Sequence, residues 1–400
     1  MPEIAEVARV VHFLRLHLVG KTITKVLAPD DANVFGKVGT SGSAFERALT
    51  GKRVVGAGTQ GKYFWLLLDS PPHPVMHLGM TGWVHVRGEQ TGYTRYVERT
   101  KGDKEQWPPK FCRFQLQTDG DPVVEVAFTD ARRFGRVRLV DCPAADIRRR
   151  SPLVKNGPDP VVDRDVFTED FLRRKMRSRH VPVKALLLDQ ATMSGVGNWV
   201  GDEILYQARL HPEQYCDDFD DADVRTLYEA IRYVCDTAVE KLGDSEQFPK
   251  DWLFNHRWGK GKKDSATTLP SGEKITFITV GGRTSCIVPS VQKKRGRAVV
   301  DIKEEEETAP PDDAGTKSRF FESKKGRKTE DLDSELPPEK KSRASKAIKK
   351  EEEQEAGIPQ SNGIQKSGKA KPEKKLKAPT PDLGRRRSNR LNKSTSQIID

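Results

Sequence analysis

The sequence predicts an α+β multidomain protein, with an N-terminal helix entering a β-sandwich, then a helical half, a β-hairpin and a disordered charged tail. Three observations carry this. Apolar residues recur with helical spacing at the N-terminus and again after about residue 165. Between these stretches lie short apolar runs punctuated by Gly, Pro, Asp and Ser. Composition then changes near Arg295, beyond which Phe320 and Phe321 are the only aromatics.

Residues 2–19 form the first predicted helix, with Ile4, Val7, Val11, Leu14 and Leu18 on one stripe and Gly20 placed to stop it. Pro2 stands where a helix tolerates proline, and Glu3 and Glu6 put negative charge in the first turn. Eight β-runs follow: Lys21–Leu27, Arg53–Ala57, Tyr63–Leu68, Pro74–His77, Gly82–Val86, Phe111–Gln117, Val123–Phe128 and Gly135–Val140. Their spacing suits a sandwich or barrel better than alternating β and α units. The polar stretch Thr91–Pro109 reads as a surface loop. Helical spacing returns over Val166–Arg177, Val183–Gln190, Trp199–Ala208 and Asp220–Leu242. Two β-rich runs, Lys274–Val280 and Thr284–Pro289, flank Gly281-Gly282 as a hairpin should. The expected boundaries are 2–140, 141–245, 246–294 and 295–400.

Charged residues make up 32% of the chain and hydrophobic residues 35%. The imbalance concentrates in the tail, which cannot bury enough apolar surface to offset the entropy of ordering it. Residues 301–400 hold 24 Lys/Arg and 20 Asp/Glu, so of the total charge of +12 the first 300 residues keep +8. A basic folded part suits a polyanionic partner. The five cysteines form no CxxC pair and are odd in number, which argues against a disulfide framework and a cysteine-rich zinc site and fits a reducing compartment. No apolar run is long enough to span a membrane and no signal-peptide pattern opens the chain, so a soluble intracellular protein is expected.

Six short motifs can carry chemistry. Removal of Met1 would expose Pro2 as a secondary amine. An α-amino group titrates near ~8, against ~10.4 for lysine, so a useful fraction is unprotonated at neutral pH. Attack by that amine on a sugar C1′ gives a cationic iminium, an electron sink, and Glu3 could exchange a proton with the ring oxygen. In isolation, however, Pro-Glu is only a good helix start. Lys62, after Gly61 at a strand start, can reach a phosphate. In His77-Leu78-Gly79-Met80-Thr81-Gly82 the glycines make a tight turn that presents His77 and Met80, and a methionine there could fill the gap left by an extruded base. Asp130-Ala131-Arg132-Arg133-Phe134-Gly135 puts arginine and an aromatic on one turn, suited to wedging into a base stack. Ser194-Gly195-Val196-Gly197-Asn198 precedes a helix whose free N–H groups could hold an anion, with Asn198 as a further donor. Arg283 sits at the hairpin tip, where its guanidinium could clamp a phosphate.

Taken in order, PEIAEV, GKYFWLLLD, HLGMTGW, DARRFGR, SGVGNWVGDEILYQARLHP and TVGGRTSCIVPSVQ closely resemble the formamidopyrimidine-DNA glycosylase/endonuclease VIII family over roughly residues 2–292. The resemblance implies an N-terminal β-sandwich and a C-terminal helix–two-turn–helix unit with damaged double-stranded DNA between them. It implies Pro2 as Schiff-base nucleophile, Glu3 as acid/base, and Glu6 in support of the active-site hydrogen bonding. Lys62, His77, Asn198 and Arg283 would clamp phosphates; Met80, Arg132 and Phe134 would fill the void and wedge the stack. The implied activity is that of a bifunctional glycosylase and AP lyase of base excision repair, without cofactor and as a monomer.

One departure stands out. Many members end in a four-cysteine zinc finger, whereas the matching stretch here has only Cys286. With no zinc-ligand spacing, no metal is expected. The hairpin would then be held by packing, through Phe254, Trp258, Ile275 and Phe277. FNHRWGKGK and the charged tail resemble the plant and fungal branch with its zincless finger. Asp244–Asp264 is short where bacterial members carry a lesion-binding loop, which favours formamidopyrimidines and hydantoins over 8-oxoguanine. The rival readings are a catalytically silent DNA-binding module and an endonuclease VIII-like glycosylase for oxidised pyrimidines. The blocks Lys340–Lys350, Lys369–Lys377 and Arg385–Arg387 suggest nuclear targeting.

Overall fold

Helix α1 (Ile4–Leu18) opens the chain in the computed structural model, which describes residues 2–92, 106–259 and 268–295. It starts two residues later than the predicted 2–19 because Glu3 is extended and acts as the N-cap, its N–H donating to Glu6 Oε2 at 2.8 Å. Val7, Val10, Val11, Leu14 and Leu18 enter the β core, while Ile4 and Ala5 enter the helical core. One amphipathic helix therefore contributes to both hydrophobic clusters, which lie within one compact unit spanning residues 1–308.

The β half is two four-stranded antiparallel sheets. One runs β1 (Ile23–Leu27), β6 (Cys112–Thr118), β7 (Glu125–Thr129) and β5 (Trp83–Val86) across its width; the other runs β2 (Val54–Gln60), β3 (Tyr63–Leu68), β4 (His73–His77) and β8 (Arg136–Val140). Alternation along β3 sorts its two faces. Phe64, Leu66 and Leu68 join the main core with Phe114, Phe128 and Val137. Trp65 lies on the opposite face, with Val75, Val140, Ile147 and Leu153, beneath 3₁₀ turns at Ala144–Arg149 and Leu153–Lys155. A short helix, α2 (Gly42–Leu49), was not evident from periodicity, being only two turns long. Ser41 Oγ caps it by accepting the Ala44 N–H, and Phe45 and Leu49 are buried.

The helical half comprises α3 (Glu169–Arg177), α4 (Val183–Leu188), α5 (Asn198–Gln207) and α6 (Asp221–Glu240). Helix α3 begins later than expected because Thr168, not a residue near Val166, supplies the cap, accepting the Phe171 N–H at 3.1 Å. Strands β9 (Thr276–Val280) and β10 (Arg283–Ile287) form the hairpin, with Gly281 and Gly282 at φ of +56° and +72°. A two-residue turn with both centres left-handed matches the twist of its flanking strands, and glycine adopts that conformation without a Cβ penalty.

The residues holding the hairpin differ in part from those expected. Ile275 and Phe277 do pack beneath it, with Leu253, Leu269, Cys286 and Val288. Phe254 and Trp258 instead join an aromatic cluster around Trp199 and Phe248, with ring centroids 4.7 Å apart for Trp199–Phe254 and 5.3 Å for Phe254–Trp258. Leu253 and Phe254 are adjacent on a 3₁₀ turn and so point to different sides. Among the described residues no helix is long and apolar enough to cross a membrane. Most of Thr91–Pro109, the end of Asp244–Asp264 and everything beyond residue 295 lie outside the described residues.

Candidate active site

Three segments distant in sequence meet at the start of α1. The Ile4 N–H donates to the Gly195 carbonyl at 3.1 Å. Gly61, in the β2–β3 turn at φ +59°, packs against Ser194 and Gly195 so closely that a Cβ would sit 2.5 Å from Ser194 Cβ. Buried Asp159 fixes that turn by accepting the Gly61 N–H at 2.7 Å. Pro2 is half-buried at this junction, and Glu3 and Glu6 are buried.

The Glu3 carboxylate receives the Trp199 and Val200 N–H groups, each at 3.1 Å. These are the first free donors of α5, where the helix dipole also favours a negative charge. The expectation that the 194–198 loop offers this helix end to a phosphate is thereby corrected: the protein's own Glu3 fills it. Gly197 allows the approach, since a Cβ there would lie 2.2 Å from Glu3 Cδ. Burial, reinforced by the Glu3 charge, pushes the Glu6 carboxyl up to about 7. Glu6 can therefore hold or release a proton near neutrality beside Pro2.

Cationic and neutral donors surround this core. Burial pulls Lys62 below the usual lysine range; Glu3 and Glu6 oppose that, and Arg283 adds to it. All four charges are thus within electrostatic reach of one another. His77 is brought down to about 4 by burial and by Lys62 and Arg136. It is neutral at physiological pH, and its Nδ1 accepts the Gly79 N–H at 2.9 Å, which leaves Nε2–H as a donor. Arg283 is exposed at the hairpin turn. Asn198 Nδ2 donates to the Thr284 carbonyl at 2.8 Å, so this side chain ties α5 to the strand bearing Arg283.

Met80 and the Arg132–Phe134 turn come from two loops joined through Asp130. Buried Asp130 accepts the Gly135 N–H at 2.6 Å, the Arg132 N–H at 3.1 Å and the Thr81 hydroxyl at 2.5 Å. Gly79, at φ +65°, lies against the Phe134–Gly135 backbone, where no Cβ would fit. The Arg132 guanidinium stacks over the Phe134 ring at 4.6 Å, and Phe134 is 46% exposed. Met80 is half-buried. An exposed cation–aromatic pair has the chemistry to stack on another π-face and to meet an anion.

A buried network not foreseen from the motifs holds these parts in place. Asp202 on α5 accepts from Lys184, from Arg257 at 2.5 Å and from the Cys286 N–H at 3.1 Å; Lys184 Nζ also donates to the Asn198 carbonyl at 2.8 Å. The next residue, Glu203, takes the Leu253 and Phe254 N–H groups. Asn198 and Asp202 stand at i and i+4 on this helix, a spacing that marks one face. That signal was readable; Asp159 had none. Among the described residues no three His, Cys, Asp or Glu side chains are grouped as metal ligands.

Comparison with known proteins gives the family. Residues 1–137 match the family model for the formamidopyrimidine-DNA glycosylase N-terminal domain, and residues 156–249 that for the H2TH domain of the same family. A formamidopyrimidine-DNA glycosylase of Arabidopsis thaliana is 37% identical over 297 residues, 74% of this chain and 72% of that protein. One from Heliobacterium modesticaldum is 35% identical over 246 residues, covering 61% and 81%. The crystal structure of the Lactococcus lactis enzyme non-covalently bound to DNA containing an abasic site aligns with a TM-score of 0.58 at 23% identity, over 73% of this chain and all of that one. The chain belongs to the formamidopyrimidine-DNA glycosylase family.

Proposed function

We propose that this DNA glycosylase of base excision repair excises ring-opened formamidopyrimidines and hydantoins in preference to 8-oxoguanine, and then cuts the strand through a Pro2 Schiff base. The chain would bind damaged duplex DNA by its phosphates, so affinity should fall steeply with salt. Flipping the lesion costs least where the base is already poorly stacked. The Pro2 nitrogen, freed of Met1, attacks C1′; the C1′–N bond breaks and the base departs. Glu3 takes the proton that the Pro2 nitrogen sheds and passes it to the ring oxygen, and the sugar opens to an iminium. Loss of the C2′ proton then expels the 3′-phosphate, and a second elimination expels the 5′-phosphate, leaving a one-nucleotide gap.

The observation that carries the reading is the Glu3 carboxylate, fixed by the Trp199 and Val200 N–H groups immediately beside Pro2. In this reading Lys62, His77, Asn198 and Arg283 clamp phosphates, and Met80, Arg132 and Phe134 occupy the space left by the extruded base. The lesion preference rests on the short Asp244–Asp264 segment. The hairpin works as a zincless finger, held by its apolar cluster and by Asp202. The basic blocks of the tail suit a nuclear protein.

Borohydride treatment during reaction with a single-formamidopyrimidine duplex tests the chemistry. Wild type should give a covalent protein–DNA adduct, and Pro2→Gly should lose nearly all of it. Salt-sensitive binding with neither adduct nor strand cleavage on any oxidised base would instead identify a silent DNA-binding module.

A further inference from the structure

Strands β3, β4 and β8 pair so that Tyr63, His77 and Arg136 stand side by side, and Trp65, Val75 and Arg138 form the next row. Directly paired residues project from the same face of a sheet, so both arginines share the face of Tyr63 and His77, whose rings are 4.9 Å apart. Lys62 immediately precedes Tyr63. The Trp65 end of this face is sealed by the apolar cluster beneath residues 144–155.

The two guanidiniums have no carboxylate partner among the described residues. Arg136 donates only to the carbonyls of Arg133 and Gly135, at 3.2 and 2.7 Å, and the Nε of Arg138 is buried without a hydrogen-bond partner. Other half-buried arginines are neutralised, Arg113 by Asp31, Arg148 by Asp163 and Arg173 by Glu169, although Arg9, like Arg136, donates to backbone carbonyls. Gathering Arg136 and Arg138 on one face without a carboxylate partner costs repulsion that an anion would relieve.

We infer that Arg136 and Arg138 form an additional phosphate site on β8, engaging the DNA backbone beyond the phosphate held at Lys62 and His77. Strand β8 is the edge of its sheet, about 4.8 Å outside β4, so the row lengthens the phosphate track away from the reacting sugar. The site rests on the DNA-binding reading above and contributes affinity and register rather than chemistry.

Arg136→Gln, Arg138→Gln and the double variant of the full chain test this on a duplex with a stable abasic analogue. Each single change should flatten the plot of log affinity against log salt by about 0.9. The double variant should bind that duplex roughly 10–100-fold more weakly at low salt, while its single-turnover excision rate on a saturating formamidopyrimidine duplex stays within about threefold of wild type. Arg136→Lys should restore the slope. Trimming the duplex on the side that carries these phosphates should erase the difference between variant and wild type. An unchanged slope, or a slower saturating rate at unchanged affinity, overturns the site. A wild-type chain whose binding ignores salt overturns the DNA reading and this site together.

Discussion

In the proposed mechanism Glu3 does two jobs with one carboxylate. It stands next to Pro2, where that mechanism needs proton exchange with a sugar, and it caps α5 from 196 residues away. Preorganisation of this kind fixes an acid/base group before substrate arrives. Gly197 is the position that most directly tests it. Its φ of −122° is open to any residue, so Gly197→Ala acts only through the Cβ that would strike Glu3 Cδ. The carboxylate should be displaced from its two donors, and excision should slow by about 10²–10⁴-fold, the range for loss of a placed general acid or base. Duplex binding should persist. Excision at the wild-type rate would show that the cap is dispensable. At this scale the sequence was largely legible: Pro2, Glu3, Gly61, Lys62 and Gly197 all sit in quotable motifs. What spacing could not show was that Glu3 occupies the very helix end read as a phosphate site, because that contact depends on which chain segment reaches α5 first.

Helix α5 organises the site as an element. Its N-terminus takes Glu3, Asn198 and Asp202 hold β10, and Glu203 holds the Leu253–Phe254 turn. The periodicity that located this helix records which residues are buried, not which buried carboxylates have partners; besides Lys184, 18 residues away, those come from segments 50 to 84 residues away. Two buried acids, Asp202 and Glu203, are therefore where local reasoning ran out. Glu203 has a consequence for pH. Burial pushes its carboxyl from about 4.5 to about 7, so the folded state binds its proton more tightly than the unfolded chain. Its contribution is complete below about pH 4.5 and is lost as pH rises through about 7, on the order of 3 kcal/mol over that window. Glu203→Gln keeps one acceptor oxygen and cannot ionise. The melting temperature of the variant minus that of wild type should therefore rise between pH 5 and pH 8. Glu6, also raised to about 7, titrates in both proteins and cancels from the difference. A difference that stays flat with pH would mean that Glu203 carries no charge change in that range.

Across the whole molecule, charge is distributed by pairing as much as by composition. The first 300 residues carry a net +8, yet the arginines of α3 are largely cancelled: Arg173 meets Glu169, Asp170 and Asp221, and Arg177 shares Asp221. Lys62, Arg132, Arg136, Arg138 and Arg283 have no such partners among the described residues, and they lie on the segments that build the site. Uncancelled positive charge next to the reacting centre raises the local concentration of a polyanion and releases its counterions on binding. A tail that adds only +4 over residues 301–400, with acidic and basic blocks interleaved, contributes little to that field at the lesion itself. The full chain and a chain ending at residue 300 should therefore excise a formamidopyrimidine from a short duplex at rates within about threefold at low salt. On long DNA the truncated form should lag, because an appended basic segment keeps the protein on the polymer between encounters. A loss above tenfold on the short duplex would place part of the catalytic apparatus in the tail, and the unpaired cations of the folded part would then be insufficient to hold the strand.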